Sequence, residues 1–124
     1  MRDLCRKQPA IVAAYLFGSV AAGRSKPSSD LDLAFLLSLP AADAFPLLSF
    51  ISALEHLCRC PVDVVVLNRA GEVLKCQVRK SGRLIFERDP ERRKVFQVRS
   101  RKSYEDFLYL HRRYVKAVLY RHQG

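Results

Sequence analysis

Gly18-Ser19 and, ten residues further on, Asp30-Leu31-Asp32 are the residues of this 124-residue chain whose types and spacing could do chemistry. The glycine closes an apolar run from Ile11 to Phe17, and the aspartates stand at the start of a second one that continues to Leu37. Aspartates at i and i+2 of a strand point to the same face, about 6–7 Å apart along it. That separation suits a pair of Mg²⁺ ions, hard cations that take carboxylate oxygens and substrate phosphates. Gly18 lets the backbone come close to a phosphate, and Ser19 can cap a following helix whose N–H groups face the anion. These are the parts of a two-metal nucleotidyl-transfer site. A Gly-Ser followed at one fixed offset by Asp-x-Asp arises by chance in a chain of this length only about once in a thousand.

A third acid extends the set. Asp63 interrupts the apolar stretch Val62-Asp63-Val64-Val65-Val66-Leu67. An acid in such a strand is costly unless it is paired, hydrogen-bonded or facing a site. The cheapest explanation places it beside Asp30 and Asp32 on an adjacent strand, where it could hold one metal and take the proton of an attacking hydroxyl. The alternative is an acid at a strand mouth, paired with one of the many arginines. Arg24 and Lys26 flank the loop between the two motifs and are placed to steer a nucleotide's phosphates.

The elements that must position these residues follow from hydrophobic periodicity. Residues 2–8 read as a short helix, Ile11–Phe17 as a strand apolar on both faces, and Leu31–Leu37 as a second strand. Ser19–Arg24 reads as a helical turn. Asp43 is a plausible N-cap, with Pro46 in the first turn of an amphipathic helix on which Leu47, Leu48, Ile51, Leu54, Leu57 and Cys58 keep a 3.6-residue period. Pro61 ends it. A strand around Asp63 follows, then a helix over 71–80 with Val73, Leu74 and Val78 inward. Ser81-Gly82 stops that helix before a short strand at Arg83–Phe86. Pro90 opens a long helix, or a pair of helices, to the C-terminus. This order predicts an α/β (α+β) fold with a small mixed β-sheet flanked by helices.

Composition bounds the rest. The length fits a single domain, residues 1–124, with a basic helical segment over 89–124. No run is long enough to span a membrane and no signal pattern opens the chain, so the expected compartment is the cytoplasm. Cys58-Arg59-Cys60 is no zinc knuckle, and neither the other cysteines nor His56, His111 and His122 complete a ligand set. The cysteines read as small hydrophobes and surface thiols. The net charge of +10 is uneven: residues 1–78 carry eight Lys/Arg against seven Asp/Glu, residues 79–124 fourteen against five. Such a block attracts phosphates, nucleic acid or an acidic protein surface. Nothing else supports direct nucleic-acid binding, because Tyr104, Tyr109, Tyr114 and Tyr120 do not share one helical face for stacking on bases. Arg92, Arg93, Arg99 and Arg101 are the expected contacts of a docked partner.

The stretches Tyr15-Leu16-Phe17-Gly18-Ser19, Ser29-Asp30-Leu31-Asp32-Leu33 and Val62-Asp63-Val64-Val65 together resemble the minimal nucleotidyltransferase family of the polymerase-β-like superfamily. Leu74 through Gly82-Arg83-Leu84-Ile85-Phe86-Glu87 is similar to that family's helix-Gly-strand unit, and Tyr104-Glu105-Asp106-Phe107 to its C-terminal helix. The chain departs from the family after Gly-Ser, reading Val20-Ala21-Ala22-Gly23-Arg24 where x-Ala-Arg-Gly is common. The resemblance implies the polymerase-β-like nucleotidyltransferase fold, Mg²⁺ with ATP as donor, and transfer of AMP with loss of pyrophosphate. It also implies a partner, a HEPN-domain ribonuclease toxin, to which such a protein is the antitoxin that adenylylates a toxin tyrosine. By position, Gly18 and Ser19 would hold the triphosphate, Asp30 and Asp32 the metals, and Asp63 would activate the tyrosine hydroxyl. An antitoxin acting by contact alone, and an adenylyltransferase of a small molecule, are the competing expectations.

Overall fold

A computed structural model of the chain describes residues 1–18, 23, 30–38 and 44–123. Helix α1 (Arg2–Arg6) leads into strand β1 (Ile11–Phe17), which is followed by β2 (Leu31–Leu37), α2 (Leu47–Cys58), β3 (Val62–Val66), a 3₁₀ turn (Leu67–Arg69), α3 (Glu72–Ser81), β4 (Arg83–Glu87) and α4 (Pro90–Gln123). The strands form one mixed sheet in the order β3-β2-β1-β4. β1 runs antiparallel to both β2 and β4, while β2 and β3 are parallel. A parallel pair needs a crossover, and α2 supplies it.

The two inner strands are apolar on both faces because both faces are covered. On one face Ile11, Leu33, Phe35 and Leu37 pack with Cys5 of α1 and Phe50 and Leu54 of α2. The Phe35 and Phe50 rings meet edge to face at 5.2 Å. On the other face Val12, Tyr15, Ala34 and Leu36 pack with Leu67, with Val78 of α3 and with Phe96 of α4. A register shift between Ile11 and Ala13 breaks the alternation of β1, so that the consecutive Val12 and Ala13 both enter the second layer.

Two side chains fasten the sheet's margins. Asn68 brackets the end of β2, accepting from the Leu37 N–H at 2.9 Å and donating to the Leu37 carbonyl at 2.8 Å. Arg88 donates to the carbonyls of Ile11 (3.0 Å), Cys5 (3.0 Å), Arg6 (2.8 Å) and Gln8 (3.4 Å), so one guanidinium closes the end of α1 onto β1. Cys5 is buried in the first core layer, and Cys76 is buried beside Arg79, whose Nη2 donates to its Sγ at 3.7 Å.

Two expectations change, and one choice left open is settled. Val73 is exposed rather than inward: it precedes Lys75 by two residues, a rotation of about 200°, and the face around Lys75 is the one packed on the sheet. The C-terminal segment is one unbroken helix of 34 residues, with no Pro or Gly after Pro90 to break it before Gly124. Arg93 is not free to meet a partner. Its Nε donates to Glu87 Oε2 at 2.6 Å and its Nη1 to Gln97 Oε1 at 2.9 Å, and it lies beside Tyr15. Helix α2 begins at Leu47 behind Pro46. Asp43 and the turn at 19–22 lie outside the described residues.

Candidate active site

The parallel pairing of β2 and β3 decides where the acids meet. Leu31 is opposite Val62 and Asp32 opposite Asp63. Adjacent strands lie about 4.8 Å apart, so the two carboxylates are neighbours across the ladder. The alternation of side chains puts both on the face whose next positions, Ala34 and Val65, belong to the layer under α3 and α4. The start of the pairing is pinned from two sides: the Leu31 N–H donates to the Pro61 carbonyl at 3.0 Å, and the Val62 N–H donates to Glu55 Oε2 of α2 at 3.2 Å.

Gly18 completes this corner. Phe17 pairs with Asp32 across β1 and β2, so the residue after it leaves the sheet beside that carboxylate. Gly18 has a φ of +77°, and a Cβ placed on it would run into Asp32 Oδ2. Only glycine meets both demands. Asp30 stands one residue before β2, exposed.

The electrostatics of the corner are those of crowded like charges. Burial, then the Asp63 carboxylate, then the Asp30 carboxylate push the Asp32 pKa above its ordinary value. The acids therefore influence one another. Among the described residues, however, no three His, Cys, Asp or Glu side chains stand together as a ready-made metal cage. Asp63 is exposed, which corrects the reasoning that singled it out: β3 is the edge strand, so its acid is not desolvated. Its pairing with Asp32 is what ties it to the site. Ser19, Arg24 and Lys26 lie outside the described residues.

The residues that sequence reasoning missed are those fixing the ends of the strands that carry the acids. Glu55 and Asn68 act through side-chain-to-backbone bonds across seven and thirty-one positions. No local pattern announces such bonds.

The polymerase beta nucleotidyltransferase family model matches residues 1–91, which hold all four strands and the three acids. The chain belongs to this family. No curated protein gives a significant sequence match. Among solved structures, a chain from a toxin–antitoxin complex with AMP-PNP is similar at a TM-score of 0.78, covering 94% of each chain at 24% identity. A chain of the MntA-HepT toxin–antitoxin gives 0.70, covering 94% of this chain and 92% of that one, at 24% identity. A complex of the tri-AMPylated Shewanella oneidensis HEPN toxin with its MNT antitoxin gives 0.72 over 94% and 91%, at 23% identity. At these identities the likeness is one of fold, and the fold is the polymerase-β-like one expected from the sequence. Among the described residues no helix is long and apolar enough to cross a membrane.

Proposed function

We propose that this protein is a Mg²⁺-dependent adenylyltransferase that moves AMP from ATP to a tyrosine hydroxyl of a HEPN-type ribonuclease toxin, and so acts as its antitoxin in the cytoplasm. The observation that carries the reading is the register of Asp32 against Asp63, with the Gly18 backbone at the same corner. The donor set is oxygen-only, which fits Mg²⁺. That ion is usually held by one or two carboxylates together with substrate phosphates, not by an all-protein cage. Burial raises the Asp32 pKa and the Asp63 and Asp30 carboxylates raise it further, and a bound cation relieves that repulsion. Family membership supports the transfer chemistry. The fold neighbours solved with AMP-PNP and with a tri-AMPylated HEPN toxin support the donor and the partner.

In this reading Gly18 and Ser19 cradle the triphosphate with main-chain N–H groups, and Arg24 and Lys26 draw it in. Asp30 and Asp32 would hold the metal, with Asp63 sharing it. Bound there, the metal would neutralise phosphate charge and acidify the acceptor hydroxyl. Asp63, exposed on the edge strand, takes the hydroxyl proton. The oxygen forms a bond to the α-phosphorus, the bond to the β-phosphate bridge breaks, and pyrophosphate leaves. The sheet contributes position: a carboxylate displaced by 1 Å can cost about 10²-fold in rate.

The test incubates the protein with ATP, Mg²⁺ and the product of the adjacent gene, beside an Asp30→Ala/Asp32→Ala control, and reads intact mass. The expected result is a mass shift of one AMP or several on the partner, absent in the control. A stable complex with no shift would replace this reading by neutralisation through contact alone.

A further inference from the structure

Helix α4 is much longer than the body it packs on. Its first half is docked: Phe96 enters the second core layer, and Ser100 is buried and accepts from Arg79 Nη1 at 3.3 Å. The Tyr104 ring lies 5.7 Å from the Arg79 guanidinium. Phe96, Ser100 and Tyr104 therefore mark the helix's inner side. Continued at about 100° per residue, the same side passes through Phe107, His111, Tyr114, Val115 and Val118. The Tyr104, Phe107 and His111 rings stack in series along it. Yet Tyr114 is 69% and Val115 40% exposed, and after Tyr104 the helix runs on for about 28 Å. An inner face that stays apolar after the body has ended is a face waiting for a cover.

The flanks say what kind. Arg112 and Arg121 border the stripe, Arg113 and Lys116 lie on the opposite side of the helix, and no acid follows Asp106. A second copy of this helix would set those cations against their equivalents. A nucleic acid would engage the cations and leave the apolar side uncovered. We infer that the free half of α4 is the docking surface for the acceptor protein, and that the partner presents a helical groove or helix face, apolar at its centre and rimmed by Asp and Glu. The partner's identity as AMP acceptor rests on the function proposed above; the surface chemistry does not. Electrostatic complementarity of this kind speeds encounter, while the apolar centre supplies the affinity.

The test uses the full chain in three forms: wild type, Tyr114→Gln/Val115→Gln, and Arg112→Glu/Arg121→Glu. Calorimetric titration with the product of the adjacent gene is run at low and high NaCl, and light scattering gives the mass of each form alone. The expected results are a monomer alone and at least tenfold weaker partner binding for both pairs. Salt should weaken the wild type but hardly the charge-reversed form. Unchanged thermal melting and AMP-PNP affinity would show that the variants are folded. The inference is overturned by wild type that does not bind, by variants that bind at full strength, or by a wild-type dimer that Tyr114→Gln/Val115→Gln dissolves. Binding lost in the variants without any AMP transfer by the wild type would sink the adenylylation reading and leave the surface standing. AMP transfer with undiminished variant binding would do the reverse.

Discussion

At position 18 an alanine would meet two separate obstacles. Its φ of +77° costs any residue with a side chain about 1 kcal/mol, and its Cβ would displace the Asp32 carboxylate. Gly23 provides the control, with a φ of +71° and nothing within 4 Å of an added Cβ. In urea melts Gly18→Ala should lose more stability than Gly23→Ala, which should lose about 1 kcal/mol. In single-turnover AMP transfer Gly18→Ala should be slower by about tenfold or more, because it moves the Asp32 oxygen on which the proposed mechanism depends. A Gly18→Ala protein that transfers at the wild-type rate would disconnect the glycine from the placement of Asp32. The candidate site was legible in the sequence to the extent that its chemistry is local. Gly18, Asp30 and Asp32 lie within fifteen residues at the ends of two consecutive strands, and their spacing marks them as candidates. Asp63 was found by an argument from burial that its exposure removes, since which strand lies at a sheet's edge is decided by tertiary pairing. What makes it a neighbour of Asp32 is a register pinned by the Leu31–Pro61 backbone bond and by Glu55 seven positions away, contacts that no local pattern announces.

Strands and helices were legible wherever an apolar pattern decides them. β1 and β2 occupy the residues that the sequence marks, because runs buried on both faces leave no freedom in their ends. Periodicity failed for Val73, whose hydrophobicity does not tell which side of a short helix meets the sheet. It was also silent on Arg88, which sits after β4 and is engaged with residues about eighty positions earlier. Four carbonyls depend on that guanidinium, and hydrogen bonds to charged groups contribute about 1.5–3 kcal/mol each, less than their sum here because Arg88 is exposed. Arg88→Ala should therefore cost about 2–3 kcal/mol in denaturant melts and release α1. Arg88→Lys should recover only part of it, because a compact ammonium cannot reproduce the fork. Cys5 reports the release. Its burial pushes the thiol pKa up from 9.0, outweighing the opposing pull of the N-terminal ammonium and of Arg88. The folded state thus keeps this proton longer than the unfolded chain does. That contribution to stability is present below about pH 9 and fades as the pH rises through the folded value. In wild type Cys5 should resist iodoacetamide at pH 8, and in Arg88→Ala it should label many times faster. Unchanged labelling would mean that apolar packing alone holds α1.

The whole molecule is a sheet with two covered faces and one helix that outruns it. The family model stops at residue 91, just as α4 begins, while the fold neighbours cover 94% of the chain. The helix is therefore shared in shape beyond the part that the family's sequence pattern captures. Its two halves differ in what stabilises them. Residues up to Tyr104 are fixed by Phe96, Ser100 and the Arg79 contacts, whereas those beyond depend on helical propensity and neighbouring side-chain pairs, and isolated helices of this length are marginal in water. Hydrogen exchange on the free protein should show backbone amides of residues 94–104 opening only with the body, and those of 107–121 exchanging through local fraying. Phe96→Ala should cost about 2–3 kcal/mol by emptying part of the second core, while Leu119→Ala should stay within about 0.5 kcal/mol. Partner binding should then extend protection along the second half. Strong protection of 107–121 in the protein alone would mean that another copy already covers the stripe, and the acceptor would have to dock elsewhere.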